Sequence, residues 1–464
     1  MTTSNVPMRR LTRREMLKLS GSLMASAALA ACVPPPAPGP AAPPATPAVA
    51  TVAPPPPAQG NVVVMHFRHE LTEDHENQFE ADNPGITIEF VQADATKFFA
   101  MYAAGNPPDL LRTQAPAIPQ YLARHMLYDL TPYFETSEVL KLEDLAPANN
   151  YYRANSPLEI GQGPIYGMCK DWSPDHTLFI YKKAFEDAGV PIPSDTTPLT
   201  YQEIFELARK LAKFEGDRTL MFGYGYGDWW VDRIWMNMAA ELGKSLYAED
   251  FSKIILAGDE DIRAIAKWYF DLAKEKLVAS PLNPSPSWNG EDFTKGTLAI
   301  LQYGYWFSAM AESDITKGQV MMLPAPTWAG VRRNPTITAT GMVMAAATKV
   351  PDAAWKVFEW YNGREPAIER AKSGWGVPAL KSLYNLMPKE TEYQQQVQRV
   401  LQGELALETP PIQFSPFLGE TTVADTWAKY LPQALQDEIT FDELLQNVEN
   451  DVNQAIKEGI DRLL

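Results

Sequence analysis

The chain predicts an α/β fold on three observations. Short continuous apolar runs of strand length alternate with amphipathic helical stretches. "NVVVMHF" and "ITIEFV" flank one helical segment, making a strand, helix, strand unit. No repeat with a period of roughly 20 to 50 residues runs along the chain, which argues against a solenoid or propeller.

Taken in order, Asn61 to Phe67 has the unbroken apolar character of a strand buried on both faces. The helix over "ELTEDHENQFEADNPG" ends at Asn83-Pro84-Gly85, and Ile86 to Val91 forms the second strand. Short strands follow at Gly167 to Cys169, Leu178 to Tyr181 and Leu298 to Gln302. Thr200 with Glu203 forms a capping box ahead of Ile204, Leu207, Ala208 and Leu211. Thr440 with Glu443 does the same ahead of Leu444, Leu445, Val448, Val452 and Ile456. Helical spacing also joins Ile262, Ile265, Tyr269 and Leu272, and again Ala354, Val357, Phe358 and Tyr361.

Ahead of all this stands "LTRREMLKLSGSLMASAALAAC". Arg13 and Arg14 precede the uncharged run Leu19 to Ala31, whose 13 residues are too few to cross a bilayer about 30 Å thick. Residues 1–31 therefore read as a cleaved signal peptide of twin-arginine character. Leu29-Ala30-Ala31-Cys32 resembles a bacterial lipobox, which implies an acylated Cys32 as the first mature residue. Val33 to Gly60 has no charge and twelve prolines, so residues 32–60 form an extended tether, spanning up to about 90 Å as polyproline II. The order of lipid, spacer and domain predicts a protein anchored to the outer face of the cell membrane through its N-terminal lipid only.

Roughly 400 residues follow Gly60, enough for two domains with substantial cores. The chain carries −17; residues 1–31 hold Arg9, Arg10, Arg13, Arg14 and Lys18 against Glu15, a net +4, so their removal leaves −21. That charge opposes nucleic-acid binding. Beyond Cys32 only Cys169 remains, so the folded part can form neither an internal disulfide nor a thiolate metal cluster. His69-Glu70 and His75-Glu76 lack the second histidine that a helical zinc site needs, "GYGYG" does not complete a dinucleotide fingerprint, and no Gly-x-Ser-x-Gly element appears. No metal, cofactor or catalytic residue is expected. Many of the 12 Trp and 19 Tyr lie in glycine- or proline-rich stretches, where they are free to meet a ligand.

Seven segments in sequence carry a resemblance: "NPGITIEF", "YAAGNPPDLL", "LYDLTPYF", "YGMCKDWSPDHTLFIYKKAFEDAGVPIP", "PLTYQEIFELARKL", "FTKGTLAILQYGYW" and "GWGVPA". In this order and spacing the chain resembles the extracellular solute-binding proteins, family 1, of bacterial ABC importers, the maltose-binding-protein-like group. Met168-Cys169, Lys182, Thr297 and Ile300 depart from that family's pattern. The resemblance implies a two-lobed periplasmic-binding-protein-like (type II) fold with a hinge of crossing strands and a central ligand cleft. Crossings are expected near Tyr166 to Lys170, Leu298 to Leu301 and Ala339 to Met344. One lobe would then comprise residues 61–167 with 300–341, and the other 168–299 with 342–464.

The implied function is capture of a mono- or oligosaccharide by a monomer and delivery to ABC permease subunits, with no chemistry of its own. A glycerol phosphate ester or polyol is the alternative ligand, with Arg112, Arg332 and Arg333 as phosphate partners; a lipoprotein glycosidase is the alternative activity. A sugar cleft needs aromatic faces for C–H patches and fixed polar groups for hydroxyls. The family-matched segments supply Trp306, Trp375, Phe414, Asp171 with Trp172, and Asp228, Trp229 and Trp230 after three glycines that turn the chain. Glu70, Thr113 and Gln114 supply polar contacts, while Trp268, Trp355 and Trp360 belong to the core.

Overall fold

The computed structural model describes residues 58–407 and 409–463. The segment expected to be a signal peptide, Cys32 and all but the last three residues of the expected tether lie outside the described residues. Two mixed sheets organise the folded part. The first places its strands in the order Ile86–Gln92, Gly60–His66, Leu110–Thr113, Gly341–Met344, Gly167–Cys169. Its first three strands are parallel, and Gly341–Met344 runs antiparallel to both its neighbours. The second sheet has the order Val320–Leu323, Leu178–Tyr181, Leu298–Gln302, Arg218–Tyr226, Lys213–Glu215.

Each sheet anchors its own core, because its central strands are apolar on both faces and must be covered by helices. In the first, Val62, Val64 and Leu110 pack beneath Phe358 and Tyr361 of the helix Pro351–Gly363. In the second, Leu178–Tyr181 and Leu298–Gln302 pack against Ile204, Ala208 and Leu211 of Tyr201–Leu211, with Trp268 and Tyr269 of Glu260–Lys274 behind. Both expected capping boxes form: Glu203 N–H donates to Thr200 Oγ1 and Glu443 N–H to Thr440 Oγ1, each at 3.1 Å. A further capping box, Thr72 with His75, opens the helix Glu73–Asp82. Trp268, Trp355 and Trp360 are core residues.

The lobe boundaries differ from those expected. Leu298–Gln302 is not a crossing: it is the middle strand of the second sheet, with Ile300 opposite Ile180 on one side and Tyr224 on the other. The chain stays in the second core from Leu178 through Leu323 and returns to the first only with Ile337 and Gly341–Met344. Most of 300–341 therefore belongs to the second lobe, and 342–464 is divided, since Ala353 to Tyr361, Ile412 and Phe414 lie in the first core and Val397 to Leu401 and Leu418 to Ile456 in the second. The physical reason is that a fully buried apolar strand reads alike in either sheet. Of "GYGYG", Gly223 to Tyr226 are not a turn but the end of the strand Arg218–Tyr226, and only Gly227 leads into the turn Asp228–Trp230. Gly223 is required there because a Cβ would overlap the Ala208 backbone, so this glycine lets the helix sit directly on the sheet.

Two of the segments that join the lobes, 170–177 and 324–340, are tied to each other by one carboxylate. Asp175, fully enclosed, accepts from Ile337 N–H at 2.7 Å, Thr336 Oγ1 at 3.0 Å and Thr338 N–H at 3.3 Å, and also from Ser173 Oγ. Beside it, His176 N–H donates to Asn334 Oδ1 at 2.8 Å, while both ring nitrogens of His176 are buried without a partner.

Burial pushes His176 down to about 3, and burial acts the same way on His66 in the first sheet, also to about 3. A histidine depressed in the fold binds its proton in the unfolded chain at higher pH than in the native one. Stability is therefore lost as pH falls from about 6.5 toward 3, at about 1.4 kcal/mol per pH unit for each such histidine. Urea denaturation from pH 7 to 4 is expected to give a shallower pH dependence for His176→Leu than for the wild-type chain, by roughly that one-histidine slope. Equal slopes would contradict the assignment.

Candidate functional site

Where the lobes face each other, a cavity of about 150 Å³ is lined by residues from both lobes and from the crossing segments. Glu70, Arg112 and Gln114 come from the first lobe, Lys170 to Ser173 and Thr338 with Thr340 from the crossings, and Trp230 and Trp306 from the second lobe; Trp375 closes one side. A second cavity of about 470 Å³ adjoins it and shares Glu70, Lys170 and Trp375 as a common wall.

The aromatic wall is assembled from three separate turns. Trp306 lies in the 3-10 turn Tyr305–Ala309 that follows the strand Leu298–Gln302. Between them Gly304 is obligatory, since a Cβ there would overlap Asp175 and Ser173; the turn thereby rests on the crossing segment itself. Trp230 ends the turn Asp228–Trp230 at the head of the helix Val231–Glu241, and Trp375 follows the left-handed Gly374 that caps Glu365–Ser373. Ring centroids of Trp306 lie 6.2 Å from Trp230, nearly perpendicular, and 6.2 Å from Trp375. Trp306 is half-buried, backed by Tyr303 at 5.0 Å, so one part of the indole is packed and the rest faces the cavity.

The polar floor is a chain of paired charges. Arg112 grips Glu70 with both arms, Nε at 2.9 Å and Nη2 at 3.1 Å. Lys170 Nζ lies 3.5 Å from Glu70 and also bonds Asp171. Burial alone would raise the Glu70 carboxyl, but Lys170 and Arg112 outweigh it and hold the group well below the usual carboxylate range. His66, stacked edge-on to Tyr361 at 5.0 Å, accepts from Phe67 N–H through Nδ1 and stays neutral at physiological pH. Two cations thus face two carboxylates, and the floor offers hydrogen-bonding edges without a net charge.

Of the residues expected in the site, Glu70, Gln114, Asp171, Trp172, Trp230, Trp306 and Trp375 line this cavity together. Thr113 is buried beneath Gln114, and Asp228 and Trp229 are exposed beside Trp230. Phe414 lies elsewhere: it is buried in the first core, 6.2 Å from Tyr151, because the segment after the helix Glu392–Leu405 comes back to touch the first lobe. The cavity also contains Arg112, expected only as a partner for a phosphate ligand, and Lys170, Ser173, Thr338 and Thr340, which sequence reasoning did not place in its lining. Lys170 carried a visible mark, a lone ammonium directly after the uncharged run "YGMC". Thr338 and Thr340 carried none.

Gln114 also links the lobes. Its Oε1 accepts from Arg233 Nη1 at 3.3 Å, and the same nitrogen donates to Ile337 O at 3.0 Å. Arg233 belongs to the second lobe and is buried. Among the described residues no group of histidine, cysteine and carboxylate side chains is arranged to hold a metal ion, and no helix is long and apolar enough to cross a membrane.

No curated protein sequence matches the chain. Solved structures do match in fold. An ABC substrate-binding protein from Listeria monocytogenes in complex with cycloalternan superposes with a TM-score of 0.71 at 20% identity, covering 86% of this chain and 99% of its own. Maltose-bound MalE3 of T. maritima gives 0.65 at 17% identity, covering 86% and 99%. A solute-binding protein from Agrobacterium vitis with bound D-mannitol gives 0.65 at 18% identity, covering 86% and 98%. The two lobes and their intervening cleft are thus the maltose-binding-protein-like architecture. The family model for bacterial extracellular solute-binding proteins matches residues 69–368, which contain the first sheet from Ile86 onward, the whole second sheet and both crossing segments, and the chain belongs to that family.

Proposed function

We propose that this solute-binding protein captures a neutral carbohydrate in the cleft between its lobes and passes it unaltered, as a monomer, to the permease subunits of an ABC importer. The observation that carries the reading is the convergence of Trp230, Trp306 and Trp375 on a floor whose charges are already paired. Indole faces suit the C–H patches of a pyranose, and the fixed carboxylates, amide and hydroxyls suit its equatorial hydroxyls. Cycloalternan and maltose in structurally similar proteins support the same ligand class, while mannitol in another supports the polyol alternative.

A phosphate ester fits less well, because it needs an uncommitted cation. The Arg112 fork is taken by Glu70, Arg332 is paired with Glu404, and Arg333, which among the described residues has no such ion pair, does not line either cavity. Glycoside hydrolysis needs a carboxylic acid with a raised pKa to protonate the leaving oxygen. Glu70 is shifted the opposite way and does not supply that acid, while Asp228, raised by desolvation, is exposed beside Trp230 and outside the cavity's lining.

The N-terminal sequence supports a working position just outside the cytoplasmic membrane, held by a lipid on Cys32 and the proline-rich tether. Mass spectrometry of the membrane-associated protein is expected to find an acylated Cys32 as the first residue. A chain retaining residues 1–31, or an unmodified Cys32, would overturn the anchor.

Trp306→Ala tests the site. Losing the aromatic face removes about 0.5 to 1.5 kcal/mol beyond area burial, so affinity for the bound sugar is expected to fall several-fold or more while the melting temperature stays close to wild type. A purely structural tryptophan would instead cost about 3 to 5 kcal/mol of stability. Unchanged affinity in a well-folded variant would remove Trp306 from the site.

A further inference from the structure

Gln114 lines the cleft between the lobes, and a carboxamide in that place can show a ligand either its oxygen, as an acceptor, or its nitrogen, as a donor. Which edge is shown is decided from behind, by Arg233. Guanidinium nitrogens donate and never accept, so the atom that faces Arg233 Nη1 at 3.3 Å has to be the amide oxygen. The Nε2 hydrogens are thereby turned the other way, toward the cavity, and among the described residues no protein acceptor takes them.

Arg233 is itself fixed. It is buried, it stands three residues after Trp230 and so shares that indole's side of the helix Val231–Glu241, and it is not part of the cavity's lining. The same Nη1 donates to Ile337 O at 3.0 Å in the crossing segment 324–340, while Nη2 donates to Glu420 O at 3.3 Å and has the Glu420 carboxylate 3.7 Å away. The backbone beside Gln114 is tied to the same crossing, since Ala115 N–H donates to Thr338 O at 2.8 Å. A planar fork bonded to carbonyls on two segments does not swing to follow a side chain; the side chain follows it. The amide is thus oriented before a ligand arrives, which lowers the ordering cost of binding.

We propose that Arg233 is a positioning residue for ligand capture: it holds the Gln114 carboxamide with its oxygen inward, so that the first lobe presents a fixed N–H donor to an oxygen of the sugar. The cleft therefore favours a ligand with a hydroxyl or ring oxygen at that place over one that brings an amine there. This deepens the carbohydrate reading of the cleft and rests on it.

Glucose, mannose and galactose, with their homodisaccharides and trisaccharides, are titrated calorimetrically into the wild-type protein, Arg233→Lys, Gln114→Met and the double variant, with a melting curve for each. Lysine keeps the charge but not the fork that reaches Gln114 and Ile337 together. For the sugar that binds, Arg233→Lys is expected to weaken affinity about fivefold or more with Gln114 present and less than about twofold in the Gln114→Met background, where the amide it orients is gone. An equal loss in both backgrounds, or no loss in either, would overturn the positioning role and leave the carbohydrate reading standing; absence of binding by every sugar would overturn both. If Arg233→Lys does not fold, deoxy and deoxyfluoro analogues of the bound sugar test the same donor on the wild-type protein and Gln114→Met. Fluorine can accept a hydrogen bond but cannot donate one, so at one ring position fluorine is expected to be tolerated where hydrogen costs about tenfold in affinity, and Gln114→Met is expected to abolish the difference. No such position, or one that persists in Gln114→Met, would overturn the proposal.

Discussion

A lysine ammonium buried where two lobes meet has to be neutralised, and much of the cleft results from how that is done. Lys170 is almost entirely enclosed, between Glu70 and Asp171. Stripping an ammonium of water costs several kcal/mol unless opposite charges and hydrogen bonds replace it, so both carboxylates must be present and ionised. Arg112 then balances the second carboxylate. Lys170 and Asp171 sit on the first crossing segment, while Glu70 and Arg112 sit on the first lobe. The quartet therefore fixes the crossing to the lobe and at the same time produces a cleft floor that is polar, ordered and without net charge. Such a floor rewards a ligand rich in hydroxyls and gives little to one that brings a charge.

The aromatic wall depends on the same crossing segment. Gly304 lets the turn that carries Trp306 lie directly against Ser173 and Asp175, and Asp175 in turn binds the second crossing through Thr336, Ile337 and Thr338. Gln114 and Arg233 add a link between the lobes a short way along the cleft. A ligand that touches Trp306, Gln114 and Asp171 thus touches both lobes and a crossing at once. On the proposed reading, occupancy would bias a hinge here, since the ligand would contact groups on both lobes at once.

Much of this is legible in the sequence, for particular reasons. Three short strands, Gly167–Cys169, Leu178–Tyr181 and Leu298–Gln302, are readable because fully buried strands are unbroken apolar runs between breakers. Two capped helices are readable from Thr200 and Thr440. Seven of the cavity's residues can be named, four of them because indoles in short motif-bearing loops stand out, and Glu70, Gln114 and Asp171 because polar side chains stand in the family-matched segments. What escapes is long-range. Nothing in "LAILQ" says which sheet it joins, so the expected division of the lobes fails, and the strand carrying Gly223 reads as a turn because its glycines serve helix packing and not backbone reversal. Arg112 reads only as a phosphate partner because its ion pair with Glu70 spans 42 positions. Phe414 resembles a site residue through its proline-rich setting, which in fact serves a buried return to the first core.

The central claim is that a sugar binds between the lobes and draws them together. Small-angle scattering of the protein without ligand and with its saturating sugar measures this most directly. The account predicts a smaller radius of gyration in the saturated sample, with the sugar recovered intact afterwards. An unchanged radius at saturation, or a cleaved sugar, would contradict it.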